Sequence, residues 1–522
     1  MDAMKASEHS NLLKLYCERI NEMTARDEEL LRLRLNPNPK NIVFDDTDDF
    51  FRFNKESVFN ICTAETADTE HIGRIFNLFW GFIPVLNFLR DTQDGNSSVS
   101  ADEYQIKVSA EHVDIQAHNV GGILDSLKTL RQLAEVERGK RITSAYELPL
   151  CTISDYPSTT FRGIHICWFP ENHIWQIERA IRLAAYYKFN YVVLETWGVF
   201  PFDCAPFLCW PGKGIPKEEL KRIITSANEL GLTIIPQFNL MGHASGSREN
   251  GGKHVTLNTH PEYASLFEPD GWSWCLSNPE TRKVLSDCVV EMHDFFNKPP
   301  YFHIGCDEAR LFCSCRTCRK VGVHKLVRDH LLHFHSLLKE RNAQPIMWHD
   351  MLLQKEDPRW NGYIVCGTRK DGLESLLDEL PKDFIIDDWQ YGYPEKDGNP
   401  PDWSTSRFFK EKGFQVFVSP AGNLKGLKSL AELVANAPLE GILQTTWSDL
   451  DKGMLTTFYK AAQAIWHGGQ IPEKDTEFSF EWAPNAMCEM HHHLRQVENE
   501  MNIRDYLASG RIMLQLQDKI CF

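Results

Sequence analysis

The chain has 522 residues, 42% of them hydrophobic and 25% charged, which excludes a disordered or fibrous protein and allows more than one domain. Asp and Glu outnumber Lys and Arg by 72 to 56, and the formal net charge of -16 argues against nucleic acid or an anionic membrane surface as partner.

The opening residues carry no basic stretch followed by an apolar core, so no signal peptide is expected. No run of 18 apolar residues occurs anywhere, so no membrane span is expected either. With 15 scattered cysteines, an odd number, the chain reads as cytoplasmic, with free thiols rather than a disulfide framework. Residues 1–40 form a first, helical segment. Leu12, Leu13, Leu15, Tyr16 and Ile20 recur near helical spacing, and the prolines at 37 and 39 end the pattern. Residues 41–150 read as a small α/β domain. Tyr104, Ile106 and Val108 alternate with polar residues, as do Val113 and Ile115, which predicts two antiparallel strands. A helix is predicted over 123–136, with Ile123, Leu127, Leu130 and Leu133 on one face.

Over 155–470 the texture changes. Eight short apolar runs, at 163–168, 191–195, 232–238, 301–307, 344–350, 383–391, 415–420 and 441–447, alternate with helix-like stretches. Near-continuous apolar strands separated by helices indicate a parallel sheet buried on both faces. Eight units, each a strand followed by a helix, with no glycine-rich phosphate loop after the first, predict an α/β fold of the (β/α)8 TIM-barrel type. Residues 471–522 read as a C-terminal helical segment. It could pack on the barrel or on a second chain, which leaves a homodimer open.

A barrel of this kind builds its site at the C-terminal ends of the strands. Those ends carry Arg162 and Trp168, Glu195 and Trp197, Asn239 and His243, Asp307 and Glu308, Trp348 and Asp350, Trp389 and Tyr391, Asn423, and Trp447 and Asp449. Indole faces stack on the C–H faces of pyranose rings while carboxylates bind the hydroxyl rim, so this composition points to a sugar pocket. The adjacent carboxylates Asp307 and Glu308 leave an apolar strand together. Like charges that close raise the pKa of one member, which suits a general acid.

His303-Ile304-Gly305-Cys306-Asp307-Glu308 matches the H-x-G-x-D-E signature of glycoside hydrolase family 20, the β-N-acetylhexosaminidases, which the chain resembles over roughly 41–470. Asp155-Tyr156-Pro157, Phe161-Arg162-Gly163, Trp348-His349-Asp350 and Trp447-Ser448-Asp449 fit further family patterns. The P-G-H turn after strand three stands as Met241-Gly242-His243, without its proline, and the usual strand-two aspartate is absent. The segments around HIGCDE, MWHDML, Trp389-Gln390-Tyr391 and SPAGNLKG are similar to the hexosaminidase D-like branch.

The resemblance implies an exo-acting retaining hydrolase of β-linked N-acetylhexosaminide glycans, GalNAc or GlcNAc, with a weak lean to GalNAc and no cofactor. Its catalysis is substrate-assisted. Glu308 is implied as acid and then base, and Asp307 as the group that orients the 2-acetamido nitrogen. Tyr391, with Tyr393 as the weaker candidate, is implied to bind the acetamido oxygen. Trp348, Trp389 and Trp447 would wall the acetamido pocket, Arg162 would hold the 3- and 4-hydroxyls, and Asp449 the 4- or 6-hydroxyl. His243 would sit between Glu308 and a strand-two acid, for which Glu195 substitutes. His303 reads as a packed structural residue. Two alternatives stand beside this: a non-catalytic sugar-binding barrel, and a retaining glycosidase using a carboxylate such as Asp350 as nucleophile. Cys313, Cys315 and Cys318 partly match a zinc site, with His324 as a fourth ligand, but three thiols in one loop favour free thiols or a redox pair, and no metal is assigned.

Overall fold

The computed structural model describes residues 35–47, 49–90, 102–136, 145–245, 253–396, 398–447, 450 and 452–470. The helices expected over 11–35 and 471–522 lie essentially outside these residues.

Among the described residues the small domain carries nine strands: β1 (Asn41–Phe44), β2 (Phe50–Asn54), β3 (Val58–Thr63), β4 (Val85–Arg90), β5 (Tyr104–Val108), β6 (His112–Ala117), β7 (Glu135–Val136), β8 (Ala145–Pro149) and β9 (Cys151–Asp155). Six form one sheet in the order β1-β9-β5-β6-β3-β4, and β2, β8 and β7 form a second. The expected antiparallel pair is β5 with β6, Ile106 opposite Ile115. β9 pairs with both β1 and β5, so this domain runs to Asp155 rather than ending at 150.

The helix Thr69–Trp80 starts where Asp68 accepts from the Glu70 and His71 amides, and stops at Gly81, whose φ of 78° a side chain would resist. It buries Ile72, Ile75, Phe76, Phe79 and Trp80. The second helix spans Val120–Leu133, as long as expected but three residues earlier, because residues 135–136 turn into β7. Its residues from Gly122 to Leu133 are buried, including Asp125, Lys128 and Arg131. A helix buried all round lies between two layers. Here one layer is the sheet, and the other is the barrel, whose Tyr186 carbonyl accepts from Gln132 at 3.0 Å.

The closed barrel comprises β10 (Phe161–Trp168), β11 (Tyr191–Thr196), β12 (Thr233–Gln237), β13 (Tyr301–His303), β14 (Gln344–Trp348), β15 (Ile385–Trp389), β16 (Gln415–Ser419) and β17 (Gly441–Gln444). Each falls within or against an expected run, and all pairs are parallel. β13 is shorter than its run because Gly305 and Cys306 take φ of 63° and 74°, which bends the chain out of the sheet just before the acid pair. Strand five is not followed by an α-helix. Among the described residues it leads into three 3₁₀ turns, Asp350–Leu352, Pro358–Trp360 and Leu373–Asp378. Pro358 and the left-handed Gly362 and Gly372 break helical continuity there.

Inside the barrel, Phe161 stacks on Tyr191 at 4.3 Å and Phe417 at 4.0 Å, an apolar plug at the N-terminal end. Further along the strands the inward residues turn polar: His165, Glu195, Gln237, His303 and Asp387, all buried. This change of lining marks the reactive end. No helix among the described residues is long and apolar enough to cross a membrane.

Candidate active site

Asp307 and Glu308 leave the barrel at the bend after β13. Gly305 is required there, since a Cβ would lie 2.5 Å from the Asn239 side chain. Asn239 then bridges the bend: its Oδ1 accepts from the Cys306 amide at 3.0 Å and its Nδ2 donates to Asp307 Oδ1 at 2.5 Å. The second Asp307 oxygen faces His243 Nε2 at 3.3 Å. Asp307 is 6% exposed, and burial would raise its pKa, but the charges of His243 and Lys253 and the two side-chain hydrogen bonds hold it well below the usual carboxylate range. Asp307 is therefore the ionised member of the pair. The carboxyl raised by burial and by the Asp307 charge is Asp350, behind the pair.

Glu308 is placed differently. Its backbone sits at φ 41°, held by its amide donating to Asp350 Oδ2 at 2.9 Å and its carbonyl accepting from Trp272 Nε1 at 2.8 Å. Its side chain is 31% exposed, with His243 Nε2 and Arg310 Nη2 each 3.5 Å from Oε2. His243 thus touches both acids and lies against the Trp272 ring at 4.5 Å. The chain brings a buried, ionised carboxylate and an open one onto a single imidazole.

An aromatic wall stands beside them. Trp447 packs on His165 at 4.5 Å and near Trp348 at 5.8 Å, and its indole N–H donates to the Tyr391 hydroxyl. Tyr391 lies 5.0 Å from Trp389, whose Nε1 donates to Asp350 Oδ1 at 3.2 Å. Burial pushes the Tyr391 phenol well above its ordinary pKa, so it stays protonated. Trp348 is fully buried against His303 at 4.4 Å. His303 is a packed residue, as expected: its Nδ1 accepts from the Gly305 amide at 3.0 Å.

Two expected site residues lie elsewhere, and a third is engaged by other partners. Arg162 is the second residue of β10, opposite Ile442 of β17, and therefore at the N-terminal end of the barrel. It is buried and donates to Asp102 at 3.0 Å and Asp125 at 3.4 Å in the small domain. It cannot reach a sugar held by Asp307. Tyr393 packs on Trp403 at 6.4 Å and under Lys425 at 4.3 Å, away from the tryptophan wall. Glu195 is at the right end but is committed. It is salt-bridged to Lys253, accepts from Gln237 at 2.6 Å and Trp197 at 3.0 Å, and lies 3.3 Å from His165. Burial opposes its charge, yet Lys253 and His165 bring its pKa down to about 2. The cation held by Glu195 is Lys253, not His243. Asp449 lies outside the described residues. Asn423 caps the helix Leu424–Asn436.

Sequence reasoning passed over Lys253 and Trp272 and gave Asn239 no role. All three act from loops, and only Asn239, next after β12, carried a positional signal. Among the described residues two groups of side chains have metal-binding character: His165, Cys167 and Glu195, and Glu268, Cys275, Cys315 and Cys318. The first already holds the Lys253 ammonium. The second excludes His324, which pairs with Glu379 at 3.1 Å.

The model of the glycosyl hydrolase family 20 catalytic domain matches residues 213–399, and that of the family's domain 2 matches 33–156. The β-hexosaminidase subunit A2 of Dictyostelium discoideum is 25% identical over 316 residues, 54% of this chain and 56% of that protein. A β-hexosaminidase of Akkermansia muciniphila is 26% identical over 266 residues, 44% of this chain and 50% of that protein. The chain thus spans about half the length of these relatives. The fold matches a chitobiase from Flavobacterium johnsoniae with a TM-score of 0.63 at 19% identity, covering 90% of this chain and 74% of the other. It also matches an exo-β-N-acetylglucosaminidase from Vibrio harveyi, in complex with N-acetylglucosamine, with a TM-score of 0.64 at 17% identity, covering 89% and 78%. With both of the family's domains matched in order, and the Asp-Glu pair at the end of the fourth barrel strand, this chain belongs to glycosyl hydrolase family 20.

Proposed function

We propose that the chain is an exo-acting, retaining β-N-acetylhexosaminidase that releases terminal β-linked GalNAc or GlcNAc by substrate-assisted catalysis. The observation that carries this is the split character of the acid pair. Asp307 is buried and ionised, bonded by Asn239 and His243, while Glu308 is partly open beside it. A buried anion that is already satisfied is a poor nucleophile and a good partner for a developing cation. The relatives named as β-hexosaminidases support the substrate class.

In the first step Glu308 gives its proton to the glycosidic oxygen. The acetamido carbonyl oxygen bonds to C1 as the bond to the leaving group breaks. Asp307 accepts the acetamido N–H and stabilises the positive oxazolinium ring. Tyr391 accepts from Trp447, so the hydrogen bond it offers is its own O–H, suited to the acetamido oxygen. In the second step the Glu308 carboxylate takes a proton from water. That water bonds to C1, the C1–acetamido bond breaks, and two inversions give retention.

The alternative nucleophile, Asp350, is fully buried with one oxygen on the Glu308 amide and the other on the Trp389 indole. That weighs against it. No disulfide joins the described cysteines, which supports a reducing compartment. The test is kinetic: matched aryl β-GlcNAc and β-GalNAc glycosides, with and without an N-acetyl thiazoline that mimics the oxazolinium. Turnover with competitive thiazoline inhibition is expected. Turnover that ignores the thiazoline would overturn the substrate-assisted step, and no turnover on either glycoside would overturn the activity. The ratio of kcat/KM on the two sugars reports the C4 preference.

A further inference from the structure

We propose that Cys275, Cys315, Cys318 and Glu268 form a structural zinc site that fixes the loop bearing Glu308. The four side chains come from two separate segments, one of them the start of the short helix Arg316–Val321, which Cys315 caps. Glu268 and Cys275 follow β12, and Cys315 and Cys318 follow the acid pair. Their ligand atoms all lie within 4.8 Å of one another. Cys275 Sγ is 3.8 Å from both Cys315 Sγ and Cys318 Sγ. Zinc holds thiolates at about 2.3 Å in a tetrahedron, whose edge is then about 3.8 Å.

The local chemistry calls for a cation. Glu268 is buried, and among the described residues no Lys, Arg or His side chain pairs with it. Its Oε2 accepts from the Ser314 amide at 2.9 Å, the Ser314 hydroxyl at 3.0 Å and the Cys315 amide at 2.6 Å. Its Oε1 is thereby turned toward Cys318 Sγ, 3.0 Å away. A buried carboxylate facing three sulfurs is costly unless a metal neutralises it. The Cys315-x2-Cys318 spacing adds a knuckle, with the Cys318 amide donating to Cys315 Sγ at 3.3 Å. Ser277 Oγ lies 3.1 Å from Cys318 Sγ and can orient that ligand from behind. Cys313 and His324 are not part of the set.

The position gives the site its purpose. Between Glu308 and Cys315 the backbone takes positive φ at Glu308, Leu311 and Cys313. Such a segment needs outside restraint. The loop after β12 supplies some of it through Trp272 to the Glu308 carbonyl and Ser273 to the Arg310 carbonyl at 2.9 Å. A metal joining the same two loops a few residues further on would lock both.

The experiment uses the full chain, purified without chelator and analysed for zinc, then reconstituted anaerobically with cobalt(II). About one zinc per chain is expected, with intense tetrahedral d–d bands and thiolate-to-cobalt charge transfer after exchange. Cys318→Ser should lose the metal while His324→Ala and Cys62→Ser retain it. If Cys318→Ser does not fold, the zinc content and cobalt spectrum of the unaltered chain decide alone. Chelation should raise hydrogen exchange in 267–278 and 309–318 and leave the small domain unchanged. A metal-free protein that also takes up no cobalt would overturn the site. Retention of zinc by a folded Cys318→Ser would overturn the ligand set. Unchanged exchange after zinc removal would overturn the clamp.

Discussion

The two ends of the barrel both gather charge, and to opposite effect. At the N-terminal end Arg162 bonds Asp102 and Asp125, Lys188 bonds Asp155 at 3.1 Å and Tyr104 at 2.7 Å, and Trp466 donates to Asp155 at 2.8 Å. Every one of these groups has its partner inside protein, and the network fastens the small domain to the barrel. At the C-terminal end Asp307 is satisfied but Glu308 is not sealed, and His243 is shared between them. A closed set of charges holds structure. An open one keeps a proton donor within reach of a substrate. Burial and pairing, rather than residue type, separate the two.

The largest effect should come from breaking the open end. Glu308→Ala is expected to lower kcat by about 10²–10⁴-fold on substrates with poor leaving groups. Activated aryl glycosides should lose less in the first step, with azide accelerating the second by replacing base-assisted water. Thermal stability should hardly change, because the side chain is partly exposed and makes only long contacts. Unchanged kcat on a poor leaving group would remove Glu308 from the role.

The closed end should respond in the other currency. Arg162→Met leaves Asp125 with Lys128 at 2.8 Å and Asp102 with Asn119 at 3.3 Å but breaks both buried bonds of the guanidinium, and is expected to cost on the order of 3 kcal/mol in urea unfolding. The kcat/KM of the folded protein should stay as it was. The reverse result, intact stability with a raised KM, would return Arg162 to the sugar pocket and erase the contrast between the ends.

Much of this contrast was legible in the chain, and the reasons are physical. Parallel strands buried on both faces must be apolar throughout, so runs such as Tyr191–Thr196 and Gln415–Ser419 stand out. The rule that chemistry sits at the C-terminal strand ends then found Asp307, Glu308, Trp348, Tyr391 and Trp447. The same rule, applied strictly, excludes Arg162, since it opens its strand. Counting Arg162 among those ends misplaces it, because it opens β10 and lies at the opposite rim. What pattern could not reveal were partners delivered by loops across long separations: Lys253 to Glu195 over 58 residues, Asn239 to Asp307 over 68, Glu268 to Cys318 over 50. No periodicity links such residues. They meet because the barrel brings successive loops side by side.

Glu195 sharpens the comparison because it lies at the reactive end yet is built like the closed one. Its folded pKa is depressed to about 2 from the ordinary 4.5, burial being outweighed by Lys253 and His165. Between those values the unfolded chain takes up a proton that the folded chain refuses. The stabilisation from this carboxylate is therefore complete above pH 4.5 and is lost as pH falls toward 2. The size is on the order of 3 kcal/mol. Other groups titrate in the same range, so the measurement is a difference: unfolding free energy of the wild type minus that of Glu195→Gln, followed across that interval. At neutral pH the variant should be less stable, because Lys253 is left buried without its anion. The gap should narrow steadily on acidification, as the wild-type carboxylate also becomes neutral. A gap that stays constant with pH would mean that Glu195 titrates alike in both states, and that this half of the barrel mouth is as open as Glu308.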